Sequence, residues 1–214
     1  MEITWLGHSC FKIRGKQATI ITDPFSPGSG YSLGKVSANI VTVSHEHAGH
    51  SYSAGIGGNP RVFKRPGEYE ITGVLIIGLA TYHDANKGAD RGKNTVFVLE
   101  MEEMTICHLG DLGYPLTDSQ IEEIGKVDVL MIPVGGVTTI NAAAASAMVR
   151  QMEPKIVLPM HYKTSMFEGN LEPVDNFLRE IGSHGAVPQA KLNVNKNNLP
   201  LSTQVTLLEF QPGK

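Results

Sequence analysis

The stretch "SHEHAGH" (44–50) places imidazoles at i, i+2 and i+5, as His45, His47 and His50. Neutral imidazole is the commonest ligand for zinc-like ions, and a catalytic zinc takes about three protein ligands while leaving a position for water. In an extended turn, residues two apart point the same way, so His45 and His47 face one ion while Glu46 points away. His50, a short turn later, aims at a second ion. Other candidates stand where apolar runs end: His83 after "GLATY", Asp111 after "TICHLG" and His161 after "KIVLPM". Asp111 lies between glycines in "HLGDLG", so the backbone can bend tightly to present it. A carboxylate there can bridge two cations ~4 Å apart, which together activate a water. A lone histidine is ordinarily structural or exposed, and it is the neighbouring cluster that recruits His83 and His161. His108, inside the strand before Asp111, reads as a packed core residue, and His184 in "GSHGA" as a surface loop residue. His8 in "LGHSC" reads equally as support for the site or as structure.

The elements that must position these groups are short. "EITWL", "CFKIR", "ATIITD" and "NIVTVS" are rich in Ile, Val, Thr and aromatics and are separated by polar or glycine turns, a strand signature. "EYEITGVLIIGLATY" continues as strand, and "NTVFVLEMEEMTICHLGD" reads as a hairpin turning near Glu102–Glu103. The pattern then changes. Thr117 with Gln120 three residues on is a capping box, and Gly125 ends that helix. "VDVLMIPV" and "KIVLPM" are buried strands around the alanine-rich helix "NAAAASAMVRQM". Pro173 starts a helix with Val174, Phe177, Leu178 and Ile181 on one face, stopped by Gly182. "QVTLLEF" closes the chain as a strand. Functional groups thus gather in loops after strands, where open sheets collect them. Strands first and βαβα units later imply an α/β protein with stacked sheets and helices outside.

Bulk properties bound the function. With 214 residues, 41% of them hydrophobic, the chain suits a single domain, 1–214, with a sizeable core. A formal charge of -3 and no run of Lys or Arg leave nothing to hold a phosphate backbone, so no nucleic-acid partner is expected. The N-terminus lacks a signal-peptide pattern, and the apolar stretch 127–137 is too short for a bilayer and holds Asp128 and Pro133. Cys10 and Cys107 lie in apolar strand-like runs and fit two buried thiols in a reducing compartment. The expectation is a soluble cytoplasmic protein without membrane contact; oligomeric state is not encoded legibly.

"HEHAGH", "GDLG" and "PMHYKT", in that order, resemble the metallo-β-lactamase superfamily of metal-dependent hydrolases. "WLGHSCFKI", "TDP" and "PMHYKT" look similar to its small bacterial branch near the L-ascorbate-6-phosphate lactonases. The resemblance implies a four-layer αββα sandwich with a two-metal site on one edge. By it, His45, His47 and His83 would hold one ion, His50 and His161 the other, and Asp111 would bridge them. Asp23 in "ITDP" would brace the histidine loop from behind. Asp111 and His161 would stand at the reacting centre. The ions implied are one or two zinc, with manganese or iron acceptable to the same donors. A bridging hydroxide would attack a small ester, lactone or phosphoester. Lys87, Arg91 and Lys93 in the polar stretch 83–94, and Lys163 after His161, are candidates to bind an anionic group on that substrate.

Gly49 departs from the family, which usually places Asp there to bind the second ion and orient the water. Glycine does neither, so a weakened second site is expected, with Asp84 as a candidate to compensate. The alternative function is a metal-binding or sensing module with little or no hydrolysis.

Overall fold

Alternation along the strands shows how the layers form. The computed structural model describes residues 1–167 and 169–213. In the strand Lys93–Met101, Phe97 and Leu99 face one apolar cluster while Val96 and Val98 face another. In Val129–Pro133, Val129 and Met131 join the first cluster and Leu130 and Ile132 the second. Such strands are buried on both faces, as parallel or central strands must be when layers cover both sides.

The first sheet contains β1 (Glu2–Gly7), β2 (Cys10–Arg14), β3 (Thr19–Thr22), β4 (Ile40–Thr42) and β5 (Arg61–Phe63). The second contains β6 (Gly67–Ile71), β7 (Val74–Tyr82), β8 (Lys93–Met101), β9 (Met104–His108), β10 (Val129–Pro133) and β11 (Ile156–Met160). Late edge strands β12 (Leu192–Asn193) and β13 (Gln204–Val205) complete the orders β12-β1-β2-β3-β4-β5 and β13-β11-β10-β9-β8-β7-β6. Ile3, Trp5, Phe11, Ile13 and Ile20 of the first sheet meet Ile76, Phe97, Leu99, Met131 and Leu158 of the second, forming the core between them.

Helices α1 (Asp118–Ile124), α2 (Ala142–Met152) and α3 (Val174–Ile181) pack on the outer face of the second sheet through Ile124, Ala145, Met148, Val149, Phe177 and Leu178. The outer face of the first sheet is covered differently. Leu6, Cys10, Ile21 and Val41 pack there against Phe25, Tyr31, Leu33 and Val36, which belong to irregular chain rather than to a helix. The two-sheet sandwich is as expected, with its helices concentrated on one side.

The local signals hold. Thr117 and Gln120 form the capping box, and Gly125 caps the end. The β8–β9 hairpin turns at Glu102–Glu103, both with positive φ. "QVTLLEF" is less regular than its composition suggests: only Gln204–Val205 pair with β11, and Leu208 makes an isolated bridge to Gln189. No helix among the described residues is long and apolar enough to cross a membrane.

Strand directions decide where the chemistry collects. β3 and β4 run parallel, and β7, β9, β10 and β11 share one direction, because β8 is antiparallel to both β7 and β9. The residues after β3, β4, β7, β9 and β11, together with the β1–β2 turn, therefore meet along one edge of the sandwich.

Candidate metal centre

At that edge the Asp111 carboxylate is surrounded by imidazoles. Its Oδ2 lies 3.1 Å from His161 Nε2, 3.2 Å from His50 Nε2, 3.3 Å from His83 Nε2 and 3.8 Å from His45 Nε2. Asp111 itself is only 2% exposed. Ligand atoms of His45, His47 and His83 lie within 4.8 Å of one another, and those of His8, His50 and His161 do likewise. The five sequence-predicted histidine ligands are thus brought together around the sixth, the Asp111 carboxylate, in two groups. His8 joins them.

Asp23 sits behind the histidine loop. Its Oδ1 accepts the Ser44 backbone N–H at 2.7 Å, and its Oδ2 accepts from Ser44 Oγ at 2.5 Å and from His50 Nδ1 at 3.0 Å. Ser44 Oγ, having donated its one hydrogen to Asp23, can only accept from His45 Nδ1, 2.9 Å away. This fixes the proton of His45 on Nδ1 and leaves Nε2 as a bare lone pair. That Nε2 is buried without a hydrogen-bond partner among the described residues. A buried unpaired nitrogen costs about 1–3 kcal/mol, and a metal ion is the partner that its lone pair fits. One carboxylate thereby holds the Nδ1 proton of two candidate ligands, of His50 directly and of His45 through Ser44, the indirect support typical of metal-binding histidines.

The electrostatics point the same way. Burial opposes ionisation of Asp111, yet His161 and His50 hold its carboxyl well below the usual range. Burial likewise opposes ionisation of Asp23, and the hydrogen bond from His50 together with the nearby His108, His50 and His45 rings outweighs it. Burial alone would strip the proton from His50, but Asp111 and Asp23 hold it, raised to about 10. Burial, and next the adjacent His50, push His45 down to about 3. Burial, then His161 and His50, push His8 well below its ordinary value, and burial lowers His83. The two buried anions Asp23 and Asp111 share the His50 imidazolium, while His8, His45 and His83 are pushed toward the neutral form, and divalent cations at the centre would supply the remaining positive charge.

Other residues turn out to position this site. Asn94, 1% exposed, accepts the Asp111 backbone N–H on Oδ1 at 3.0 Å. Its amide donates to Thr81 Oγ1 at 2.8 Å and to the Leu109 carbonyl at 2.9 Å. Ser9 Oγ donates to Asp111 Oδ1 at 3.4 Å. Gly110, with φ 58, brings its backbone so close that a Cβ would collide with Asn94 Oδ1 and lie 2.6 Å from Ser44 Cβ. Nothing in the sequence marks Asn94, Ser9 or Ser44, because their partners are distant along the chain.

Asp84 does not compensate for Gly49. Burial opposes its ionisation, but backbone N–H groups of Arg91, Gly88, Asn86 and Asp90 hold its carboxyl below the usual range. That carboxylate organises the 84–91 loop instead. Lys163 is exposed and does not line the cavity over the cluster, while its backbone N–H is tied to the Glu172 carbonyl. Arg91 does line that cavity, of about 590 Å³, together with His8, His47, His50, His83, Asp111 and His161. Arg91 also lines an adjoining cavity of about 850 Å³, which His45 and His47 share with Lys64, Arg65 and Lys93. Lys64 is paired with Glu46 at 3.2 Å. His108 is fully buried, its Nε2 bonded to the Ser9 carbonyl at 2.8 Å, and His184 is exposed in the loop after α3.

Residues 2–161 match the family model described as beta-lactamase superfamily domain. A protein of Pyrobaculum islandicum named a UPF0173 metal-dependent hydrolase is 30% identical over 199 residues, covering 77% of this chain and 85% of that protein. One of Pyrococcus abyssi with the same family name is 27% identical over 194 residues, with the same coverage of both chains. A crystal structure from Thermotoga maritima, described as a candidate Zn-dependent hydrolase of the metallo-beta-lactamase superfamily, superposes with a TM-score of 0.82 at 42% identity, covering 98% of this chain and 99% of that one.

Proposed function

The chain belongs to the metallo-β-lactamase superfamily, and from that membership we propose that it is a metal-dependent hydrolase of a small anionic ester, lactone or phosphoester, with zinc as its ion. The observation that supports this reading most is the Asp111 carboxylate, buried among four imidazoles with His45 Nε2 unpaired beside it. His45, His47 and His83 would hold one ion, and His50 and His161 the other, with Asp111 shared. Bound there, the ions would supply a hydroxide at neutral pH and polarise the carbonyl or phosphoryl oxygen under attack.

The chain's own residues do the rest. Asp23, acting on His50 directly and on His45 through Ser44, keeps the nitrogen lone pairs aimed inward. Asn94 and Gly110 hold Asp111 in place. Arg91, Lys93, Arg65 and Lys64 border the adjoining cavity and favour an anionic group on the substrate; Arg91, rather than Lys163, is the arm next to the metal cluster. A phosphorylated lactone carries both an electrophilic carbonyl and an anion, and is the substrate suggested by the motif likeness to the L-ascorbate-6-phosphate lactonases.

The test is a panel of chromogenic esters, lactones and phosphodiesters, each with and without an anionic substituent, assayed on zinc-reconstituted protein. Zinc-dependent turnover that His83→Ala abolishes is expected on at least one substrate class. Arg91→Ala should raise KM for the anionic member more than for its neutral counterpart. Fully metal-loaded protein that turns over none of the panel would refute hydrolysis.

A further inference from the structure

Gly49 removes an acid that the second ion would ordinarily use, and the structure shows what stands in its place. A Cβ built on Gly49 would lie 3.2 Å from His8 Nε2 and 3.3 Å from His8 Cδ2. The His8 ring therefore occupies the region that an aspartate side chain from position 49 would sweep. Gly49 has no positive φ, so its backbone does not demand glycine; the nearby imidazole is the obstacle to a side chain. We infer that His8 is a ligand of the second ion, supplied from the β1–β2 turn in place of the acid absent at 49, an assignment that rests on the metal-centre reading above.

Five observations carry this. The His8 ring centroid lies 4.3 Å from that of His161 and 4.8 Å from that of His50, and a nitrogen of each of the three comes within 4.8 Å of the others. His8 is 6% exposed and lines the cavity over the cluster. Its backbone carbonyl accepts from Trp5 Nε1 at 3.0 Å and from the His161 N–H at 3.2 Å, which anchors the residue beside His161. The residue also holds φ 54, a left-handed conformation that non-glycine residues adopt at a cost and that clusters at functional sites. Phe167 stacks on the ring at 4.9 Å and fixes its plane. The second site then has four donors, His8, His50, His161 and Asp111, so it is re-ligated rather than weakened. Exchange of a carboxylate for an imidazole also shifts its preference away from hard ions such as manganese toward zinc.

The experiment compares wild type, His8→Asn, Gly49→Asp and the double variant. Asparagine tolerates the left-handed backbone at position 8 and is a poor zinc ligand. Each protein is stripped with chelator and reloaded with Zn²⁺; metal per chain is measured by mass spectrometry and folding by circular dichroism. Wild type should bind about two equivalents and His8→Asn about one. The double variant should regain the second, because the carboxylate introduced at position 49 then enters the space that the imidazole left. Gly49→Asp alone should add none. Histidine ¹⁵N spectra of wild type titrated with Zn²⁺ give a check without mutation: the His8 resonance should move with the second equivalent and not the first. The assignment falls if folded His8→Asn keeps both equivalents, if the double variant does not recover the second, or if the His8 resonance stays still. Failure of the hydrolase reading looks different, as two bound ions with no turnover.

Discussion

Asn94→Ala should destabilise the protein and release metal together, although Asn94 is not itself a proposed ligand. Its amide spans three groups: the Asp111 N–H at 3.0 Å, Thr81 Oγ1 at 2.8 Å and the Leu109 carbonyl at 2.9 Å. Thr81 keeps a second bond, donated to the Asn94 carbonyl, so the main losses are at Asp111 and Leu109, both buried. A buried polar group left without its partner costs about 1–3 kcal/mol, and two of them give about 3 kcal/mol. In a chain of this size each kcal/mol lowers Tm by about 2–4 °C, so a fall of about 9 °C is expected in the chelator-treated protein. Calorimetry measures this, and metal analysis after dialysis should show reduced content, because the Asp111 backbone is no longer held. A fall below about 2 °C with full metal content would show that the Asn94 bridge does not position Asp111, and the argument for indirect support would be wrong.

Gly110→Ala should also be damaging, by about 2 kcal/mol or more, since a methyl driven into Asn94 Oδ1 adds to the strain of φ 58; a Tm within about 2 °C of wild type would contradict the close packing. Chelation should lower Tm by about 5–10 °C, reversibly with Zn²⁺, since an ion present at about 100 times its Kd stabilises by about 2.7 kcal/mol; an unchanged Tm would argue against a metal centre. Burial raises the thiol pKa of both Cys10 and Cys107, so neither should react with a disulfide reagent in the native state and both should react in denaturant; rapid labelling of the folded protein would refute their placement.

What the sequence disclosed was local or periodic. The capping box at Thr117 and Gln120, the turn at Glu102–Glu103 and the double-faced burial of "VDVLMIPV" are each decided within a few residues. The histidine cluster was legible because three imidazoles at close spacing have little other use. What was hidden depends on contacts far apart in the chain. His8 and Gly49 are separated by three strands and a long loop, and only the fold shows that one fills the space left by the other. Asn94 and Ser44 look like ordinary strand-end residues until Asp111 and Asp23 are placed beside them. Lys163 was attractive for its proximity in sequence to His161, yet the chain turns it outward, and Arg91 reaches the cavity through a loop that Asp84 organises. The covering of the first sheet by 25–36 was hidden for another reason: Phe25, Tyr31, Leu33 and Val36 are spaced by neither helix nor strand period.

The backbone at the site explains why these distant pieces must be assembled together. His8, Asp23 and His161 have φ of 54°, 39° and 52°, and none is glycine. Each costs about 1–3 kcal/mol and persists only where its surroundings enforce it. The enforcing contacts run across the sandwich. The His161 N–H donates to the His8 carbonyl, tying the end of β11 in the second sheet to the β1–β2 turn in the first. Trp5 Nε1 secures that same carbonyl, and Trp5 stacks on Tyr162 at 5.4 Å, next to His161. Ser9 reaches from the first sheet to Asp111, and Ser44 accepts the Thr95 N–H of β8 on its carbonyl while binding Asp23 through its hydroxyl. The groups that would hold the ions are thus also the groups that join the two sheets at this edge. Local strain at the ligands is offset by hydrogen bonds formed only when both sheets are in register, so ligand geometry and sheet packing are set by the same contacts.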